Sequence, residues 1–297
     1  MSKTGRLLLI FVVLIIALTG TVLGFVYFSV EAKLNRVYNI PQEMIPIPAD
    51  PENIAHGEHL TTVLLGCTDC HGTDLSGRYL YDDPLFGRIA ASNLTPGKGG
   101  LEGGYWDDIT YLDQAARHGI GRDGKPLLYV MASFYKNLSD GDLAAIAAYL
   151  KNLPPVDNQL PETSVGLLTR FFILTDPTLL PAQVIDHQHD HTFDPKPEAS
   201  VEYGRYLATA CTACHQADFT GGVSVAAGGL NLTPGGDLSQ WTEQDFIRTL
   251  RTGETPEGIE LDPEKMPWER LRNLTDQEMK AIWLYLRTLP AVKPPPE

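Results

Sequence analysis

The sequence predicts an all-α protein in which two tandem helical modules follow a single N-terminal transmembrane helix. Three observations lead to this prediction. The run from Leu7 to Val30 contains no charged residue, and two later stretches of the chain match each other in order. Apolar residues near the end of each stretch keep the spacing of one helix face, and no sustained alternating pattern indicates a strand.

The uncharged run has the length of a membrane-spanning helix. At about 1.5 Å per residue it would reach roughly 36 Å, enough for a hydrocarbon core of about 30 Å. Lys3 and Arg6 precede it, and positive residues stay on the cytoplasmic side. A cleaved signal peptide is the alternative, but its apolar region usually has about 7–15 residues, and Val30-Glu31-Ala32 is a poor cleavage site. We therefore expect residues 1–33 to be a retained membrane anchor, with residues 34–297 outside the cytoplasm.

The chain is acidic, with a formal charge of −14 over 297 residues. Most of this charge lies beyond the anchor, where 20 basic residues face 36 acidic ones. An acidic surface argues against nucleic acid as a partner and favours solubility or a partner with a basic docking face.

The remainder is an internal repeat. Matched residues are separated by offsets that change slowly, from 144 to about 135, always in the same order. Such a series indicates two copies of one module with small insertions. We place module 1 at residues 34–153 and module 2 at residues 199–297, joined by a linker at residues 154–198 that contains seven prolines. The matched landmarks are Gly66–His71 with Ala210–His215, Asn93–Gly97 with Asn231–Gly235, Trp106 with Trp241, and Met131 with Met266.

Each module is predicted to end in a helix. Capping-box patterns open these helices, with Ser139 three residues before Asp142 and Thr275 three residues before Glu278. The shorter aspartate weakens the first box. Apolar residues at helical spacing predict one buried face on each: Leu143, Ile146, Ala147 and Leu150 in module 1, and Met279, Ile282, Trp283 and Leu286 in module 2.

All four cysteines lie in two Cys-x-x-Cys-His motifs, Cys67-Thr-Asp-Cys70-His71 and Cys211-Thr-Ala-Cys214-His215. This is the attachment pattern of haem c: two thiols on one helical turn reach the two vinyl groups, and the adjacent histidine ligates the iron. A thioredoxin-like pair would need a βαβ context, and a zinc site would need a second pair nearby. The sequence therefore predicts two covalently bound haem c groups.

The modules resemble class I cytochrome c domains, through an N-terminal helix, Cys-x-x-Cys-His, a later methionine and a C-terminal helix ending in Tyr-Leu. The repeated Asn-Leu-Thr-Pro-Gly, followed by a tryptophan, resembles more narrowly the cytochrome c subunits of membrane-bound bacterial dehydrogenases. Those subunits usually carry three such modules, and this chain carries two. The resemblance covers about residues 50–154 and 199–290 and implies a class I fold for both modules.

The resemblance also implies a sixth iron ligand in the loop before the last helix. It assigns this role to Met131 and Met266, opposite His71 and His215. A soft thioether in that position favours Fe(II). Met266-Pro267 keeps the dipeptide often seen in the family, whereas Met131-Ala132 departs from it.

Two further groups of polar residues have alternative interpretations. Asn93 and Asn231 either fold a loop over the haem edge, with polar groups facing a propionate, or only open a turn. The alternating tract of His187, His189 and His191 is either a metal site or a solvated stretch. His118 is expected to end a helix, where a partial positive charge is favourable, and His59, which aligns with Tyr206, to pack at a helix contact.

These features predict a membrane-tethered electron carrier rather than an enzyme. It would pass single electrons between redox partner proteins, such as membrane complex subunits of a respiratory or photosynthetic chain. The alternative is a di-haem cytochrome c peroxidase, which needs one iron with an open position. Two matching methionine-bearing modules argue against that alternative.

Overall fold

The computed structural model describes residues 2–41, 44–106, 108–128, 132–188, 191–222 and 229–293. Within these ranges the chain is mostly helical. The anchor region and module 1 contain α1 (Lys3–Leu34), α2 (Pro51–His59), α3 (Cys67–His71), α4 (Thr110–Ala116), α5 (Ala132–Tyr135) and α6 (Asp140–Lys151). The linker contains α7 (Leu167–Thr175), and module 2 contains α8 (Val201–Ala208), α9 (Thr212–His215), α10 (Glu243–Thr252), α11 (Trp268–Leu271) and α12 (Asp276–Leu286).

In each module the first helix crosses the last one at a glycine. A side chain at Gly57 of α2 would place its Cβ 1.9 Å from the carbonyl oxygen of Ala145, and at Gly204 of α8 the distance to the oxygen of Ala281 would be 1.8 Å. The backbones therefore approach too closely for any larger residue. This crossing positions the chain that runs on into the Cys-x-x-Cys-His motif.

The last helices carry the predicted core faces. All eight apolar residues named above for α6 and α12 are buried, none with more than 7% of its surface exposed. Thr275 and Glu278 form the predicted capping box at the start of α12. Both predictions are confirmed.

The capping box predicted for α6 closes in a different way. The Ser139 hydroxyl accepts a hydrogen bond from the Asp142 backbone N–H at 3.1 Å, but the Asp142 carboxylate does not return to Ser139. That carboxylate accepts from Tyr206 at 2.5 Å and lies 2.6 Å from Nε2 of His56, while the Ser139 N–H donates to the Tyr206 hydroxyl at 3.0 Å. A tyrosine of module 2 thus completes the cap that the shorter aspartate leaves open.

The first helix of each module contacts the last helix of the other module, so the contacts between the modules form a crossed pair. Tyr206 of α8 reaches Asp142 of α6, and at the equivalent positions His59 of α2 reaches Glu278 of α12, with 2.9 Å between Nε2 and Oε1. His59 therefore lies at a helix contact, as predicted, and that contact joins the two modules. Both pairs border one hydrophobic core, to which α6, α8 and α12 contribute together with Leu60 and Leu64, the residues that follow α2.

The all-α prediction misses a small sheet. β1 (Arg78–Asp83), β2 (Gly87–Ala91) and β3 (Ser164–Val165) pair antiparallel in that order. β1 is mostly exposed, and its register against β2 shifts between Tyr79 and Tyr81, so β1 lacks the regular alternation that would have indicated a strand. The Asp83 carboxylate accepts hydrogen bonds from the N–H groups of Leu85 and Phe86 and fixes the tip.

The linker packs against the end of the apolar N-terminal helix. α1 is the one described helix that is long and apolar enough to cross a membrane, a test that a signal sequence near the N-terminus also passes. Most of α1 is exposed, but Val30 is fully buried together with Ile173 of α7 and Leu180. Arg170 of α7 pairs with Glu31 at 2.9 Å. The proline-rich linker therefore contains a nine-residue helix with its own packing role.

The crossed contact gives a first prediction. Tyr206→Phe removes the donor to Asp142 and the acceptor for the buried N–H of Ser139. We expect the free energy of unfolding to fall by about 1–3 kcal/mol, because two buried polar groups each lose a partner. Denaturant titration of the holoprotein measures this loss.

The matched control is Tyr149→Phe. This half-buried tyrosine packs against the same core, and its hydroxyl makes no hydrogen bond in the described part of the chain. An equal loss of stability in both variants would contradict the interpretation of Tyr206 as a specific lock.

Candidate haem-attachment sites

The two Cys-x-x-Cys-His motifs lie at short helices that follow the first helix of each module within a few residues. In module 1 a five-residue π-helix, Leu60–Leu64, leads to Gly66, whose φ of 65° lies in the left-handed region that favours glycine. α3 and α9 then carry the motifs. All four cysteines are free thiols and half-buried, so neither pair is joined in a disulfide.

Both motif histidines are oriented by backbone carbonyl groups. His71 Nδ1 lies 2.7 Å from the oxygen of Ser92, and His215 Nδ1 lies 2.8 Å from the oxygen of Leu230. A carbonyl oxygen can only accept a hydrogen bond, so each Nδ1 carries the ring proton. The unprotonated Nε2 then has the lone pair that can ligate a metal. Burial lowers the pKa of both histidines, which keeps the neutral form that ligates a metal.

The thiols lie in surroundings that oppose thiolate formation. Burial raises the pKa of Cys67 to about 12 and that of Cys211 to about 11. A high pKa disfavours the thiolate that disulfide exchange uses. Among the described residues no group of three or more His, Cys, Asp or Glu side chains could hold a metal ion such as zinc. Two thiols beside an oriented imidazole are the groups that haem attachment needs.

Arg270 of α11 reaches from module 2 across the module interface to the first motif. Its guanidinium donates to the carbonyl groups of Val63 and Leu64, and Nε lies 3.3 Å from the carboxylate of Asp69 inside the first motif. A Cβ at Gly66 would lie 2.6 Å from the Arg270 Cζ, so this glycine makes room for the guanidinium.

The charge of Arg270 acts on both modules. It lowers the pKa of Cys67, Cys211 and Cys214, against the larger opposite effect of burial. No spacing rule in the sequence points to this residue. The repeat aligns it with Tyr135, which bonds the carbonyl of Leu65 within module 1.

The two repeated asparagines form matching turns. Asn93 Oδ1 accepts from the N–H and hydroxyl of Thr95, and its Nδ2 donates to the carbonyl of Val156 at 2.8 Å. Asn231 makes the same bonds to Thr233 and Val292. Each side chain thus ties its loop to the segment after the last helix, which bears out the turn interpretation. Contact of Asn93 or Asn231 with a haem propionate stays a prediction.

The two candidate methionines differ in what the structure describes. Met266 lies in the loop before α11, half-buried against the shared core, and its N–H bonds the carbonyl of Asp262. Met131 lies outside the described residues. Ligation by either methionine stays a prediction.

The remaining histidines do not behave as expected. His118 Nδ1 lies 3.0 Å from His187 Nδ1, and the ring of His191 packs edge-on against His118. Burial, together with the charges of both histidines and of Arg117, lowers the pKa of His118 to about 4. His118 is therefore neutral rather than a positive helix end, and His187 and His191 are packed rather than a solvated stretch.

The tract shows no metal site among the described residues. No group of three or more His, Cys, Asp or Glu side chains there could hold a metal ion. His189 lies outside the described residues.

Two family models match the chain, one in each half. The model described as cytochrome c matches residues 201–290, and the model described as cytochrome c oxidase, cbb3-type, subunit III matches residues 52–150. The two modules are therefore similar to cytochrome c domains. These imply covalently bound haem c, and the two Cys-x-x-Cys-His motifs fit it.

Similar proteins are cytochrome subunits. The fructose dehydrogenase cytochrome subunit of Gluconobacter japonicus is 28% identical, over 84% of this chain and 55% of the relative. The cytochrome c subunit of alcohol dehydrogenase (quinone) from Gluconacetobacter polyoxogenes is 26% identical, over 76% and 53%. A protein named diheme cytochrome c-type from Cereibacter sphaeroides is 27% identical, over 84% and 92%. The chain spans about half the length of the two dehydrogenase subunits.

These similarities confirm the resemblance to the cytochrome subunits of dehydrogenases. The relatives are named as cytochromes or as dehydrogenase subunits, and none of those named above is a peroxidase. The peroxidase alternative therefore gains no support.

The position of Arg270 gives a second prediction. We expect Arg270→Gln to lower the reduction potential of at least one haem by on the order of tens of millivolts, because a nearby cation favours Fe(II). Spectroelectrochemical titration of the holoprotein measures the shift. Arg270→Lys keeps the charge and should restore most of the potential.

Arg272→Gln is the matched control, since it removes the same charge two residues away, from an exposed side chain over Trp268. Solvent screens that charge, so its removal should leave the potentials nearly unchanged. Equal shifts in Arg270→Gln and Arg272→Gln would contradict a local effect of Arg270.

Proposed function

We propose that this chain is a membrane-anchored di-haem cytochrome c that passes single electrons as the cytochrome subunit of a membrane dehydrogenase complex. The observation that carries this proposal is the repeated geometry of the motif histidines. In both modules a backbone carbonyl holds Nδ1, and Nε2 of His71 and His215 is left to ligate iron.

Each module would hold one haem through its own motif. Cys67 and Cys70 would form the thioether bonds in module 1, and Cys211 and Cys214 would form them in module 2. Bound haem c supplies reversible one-electron exchange at its iron. Met131 and Met266 would close the sixth position, so that neither site offers room for a substrate.

The burial of the last turns of α1 supports a retained anchor over a cleaved signal peptide. Val26 and Val30 lie inside the folded protein, with 8% and 0% of their surfaces exposed. Lys33 donates to Gln183 at 2.9 Å, and the guanidinium of Arg170 lies 4.4 Å above the ring of Tyr27. Cleavage after the apolar run would remove side chains that fill this core. With Lys3 and Arg6 on the cytoplasmic side, both haem modules would face the periplasm.

Haem counting tests the cofactor assignment. We expect two haems per chain by pyridine haemochrome assay, both retained after denaturation and acid–acetone extraction. The double variant Cys211→Ser/Cys214→Ser should keep one haem, and so should Cys67→Ser/Cys70→Ser. One haem in the unmodified chain, or haem that is extracted, would contradict the proposal.

Ligand replacement tests the closed iron site of module 2. Met266→Leu keeps the apolar volume and removes the sulfur, so half of the weak sulfur-to-iron absorption at long wavelength should disappear. That haem should then bind cyanide, and its potential should fall because a soft neutral ligand is lost. Absorption and cyanide titrations measure both effects.

Met279→Leu is the control, because Met279 is fully buried in the core of α12 and aligns with Leu143. A volume-conserving change there costs less than about 1.5 kcal/mol and should leave the spectrum unchanged. Rapid peroxide turnover by the unmodified protein, with one haem already open to cyanide, would overturn the carrier assignment in favour of a peroxidase.

A further inference from the structure

The linker helix α7 has two faces, and one of them is apolar and exposed. Thr169 and Ile173 are buried, whereas Leu167, Phe171 and Phe172 keep 46%, 53% and 41% of their surfaces exposed. Large exposed apolar side chains that cluster on one surface mark a contact with a partner or a membrane.

The tip of the β-hairpin extends this apolar surface. The rings of Phe86 and Phe172 stack with centroids 6.3 Å apart and planes at 14°. The Thr169 hydroxyl donates to the carbonyl of Phe86 at 2.8 Å, and the Leu168 N–H donates to that of Leu85 at 3.0 Å. The tip is thus fixed to α7. We call the five exposed side chains the seating patch: Leu85, Phe86, Leu167, Phe171 and Phe172.

The seating patch lies at the level where the apolar part of α1 ends. α7 contacts α1 through Arg170, which pairs with Glu31 and covers the ring of Tyr27. Tyr27 belongs to the uncharged run, and Glu31 is the first charged residue after it. Ile173 of α7 also shares a buried cluster with Val30, the last residue of the uncharged run, so α7 packs beside the end of that run. In a membrane protein this level is the boundary between acyl chains and headgroups, where aromatic side chains concentrate.

We propose that the seating patch lies in the lipid headgroup–acyl boundary and holds module 1 against the bilayer. This rests on the proposed function, in which α1 spans the membrane. The last turns of α1, which α7 contacts, also carry an exposed apolar side chain, Phe28, 72% exposed. Burial of apolar surface in the boundary stabilises binding in the manner of an interfacial helix. The occupant is the lipid surface, and a dehydrogenase subunit covering the same side chains is the competing outcome.

Site-directed spin labelling of the full-length holoprotein tests the proposal. All four cysteines are consumed by haem attachment, so Phe172→Cys supplies the one free thiol for a nitroxide. The protein is reconstituted alone in phosphatidylethanolamine/phosphatidylglycerol vesicles. The accessibility of the nitroxide to oxygen, which concentrates in lipid, is compared with its accessibility to a water-soluble nickel chelate. We expect the oxygen-to-nickel ratio at Phe172→Cys to approach that of a lipid site.

Two reference positions make the outcomes distinct. Phe28→Cys reports the anchor itself, and Ile259→Cys reports an exposed apolar side chain of module 2, 61% exposed. A ratio at Phe172→Cys several-fold above that of Ile259→Cys supports the proposal. A ratio equal to that of Ile259→Cys, with Phe28→Cys in lipid, overturns the seating patch and leaves the anchor intact. An aqueous ratio at Phe28→Cys means that the proposed anchor itself fails.

A second label and a second preparation complete the test. Leu85→Cys should also read as a lipid site, and adding Phe171→Ser and Phe172→Ser should raise its nickel accessibility several-fold if the patch binds as one surface. In native membranes a covering subunit would exclude both relaxants from Phe172→Cys. Exclusion there, together with an aqueous reading in vesicles, would overturn the lipid assignment in favour of a protein partner.

Discussion

A crossed pair of carboxylate contacts joins the first helix of each module to the last helix of the other. Asp142 accepts from Tyr206, and Glu278 is bonded by His59. Buried carboxylates are costly unless hydrogen bonds satisfy them, so each module depends on its neighbour for a stable N-terminus of its last helix. The last helix in turn packs against the first helix, which leads into the Cys-x-x-Cys-His motif. The geometry of both candidate haem sites therefore depends on the module interface.

The sequence predicted the features that depend on neighbouring residues or on the internal repeat. Helix caps, core faces and the attachment motifs each depend on residues a few positions apart, so their spacing is readable directly. The interface between the two modules could not be predicted from spacing, because Tyr206 and Asp142 are 64 residues apart and His59 and Glu278 are 219 apart. The alignment of His59 with Tyr206 pointed to a helix contact, but the repeat could not show that both side chains cross to the other module.

The hairpin and the histidines show two further limits. The offset between repeats falls from 144 at the motifs to 138 at Asn93 and Asn231, which locates a six-residue insertion in module 1 where the hairpin lies. The first strand of the hairpin is mostly exposed and lacks alternation, so the sequence did not indicate a strand there. His118 was expected to be a charged helix end, yet tertiary packing against His187 and His191 outweighs the helix dipole.

The packing of α1 bears on what the proposed membrane anchor would contribute. A flexible tether raises the local concentration of a domain but leaves its orientation free. Here Val30 is buried, and Glu31 and Lys33 bond the linker, so the helix direction is fixed relative to module 1. The inserted hairpin lies in that same module, and module 2 is joined to it through Arg270 and the crossed contacts. The two modules therefore differ at the place where module 1 meets α1. If α1 is fixed in a membrane, the protein would present a defined face to its partners and would lose less orientational freedom on docking.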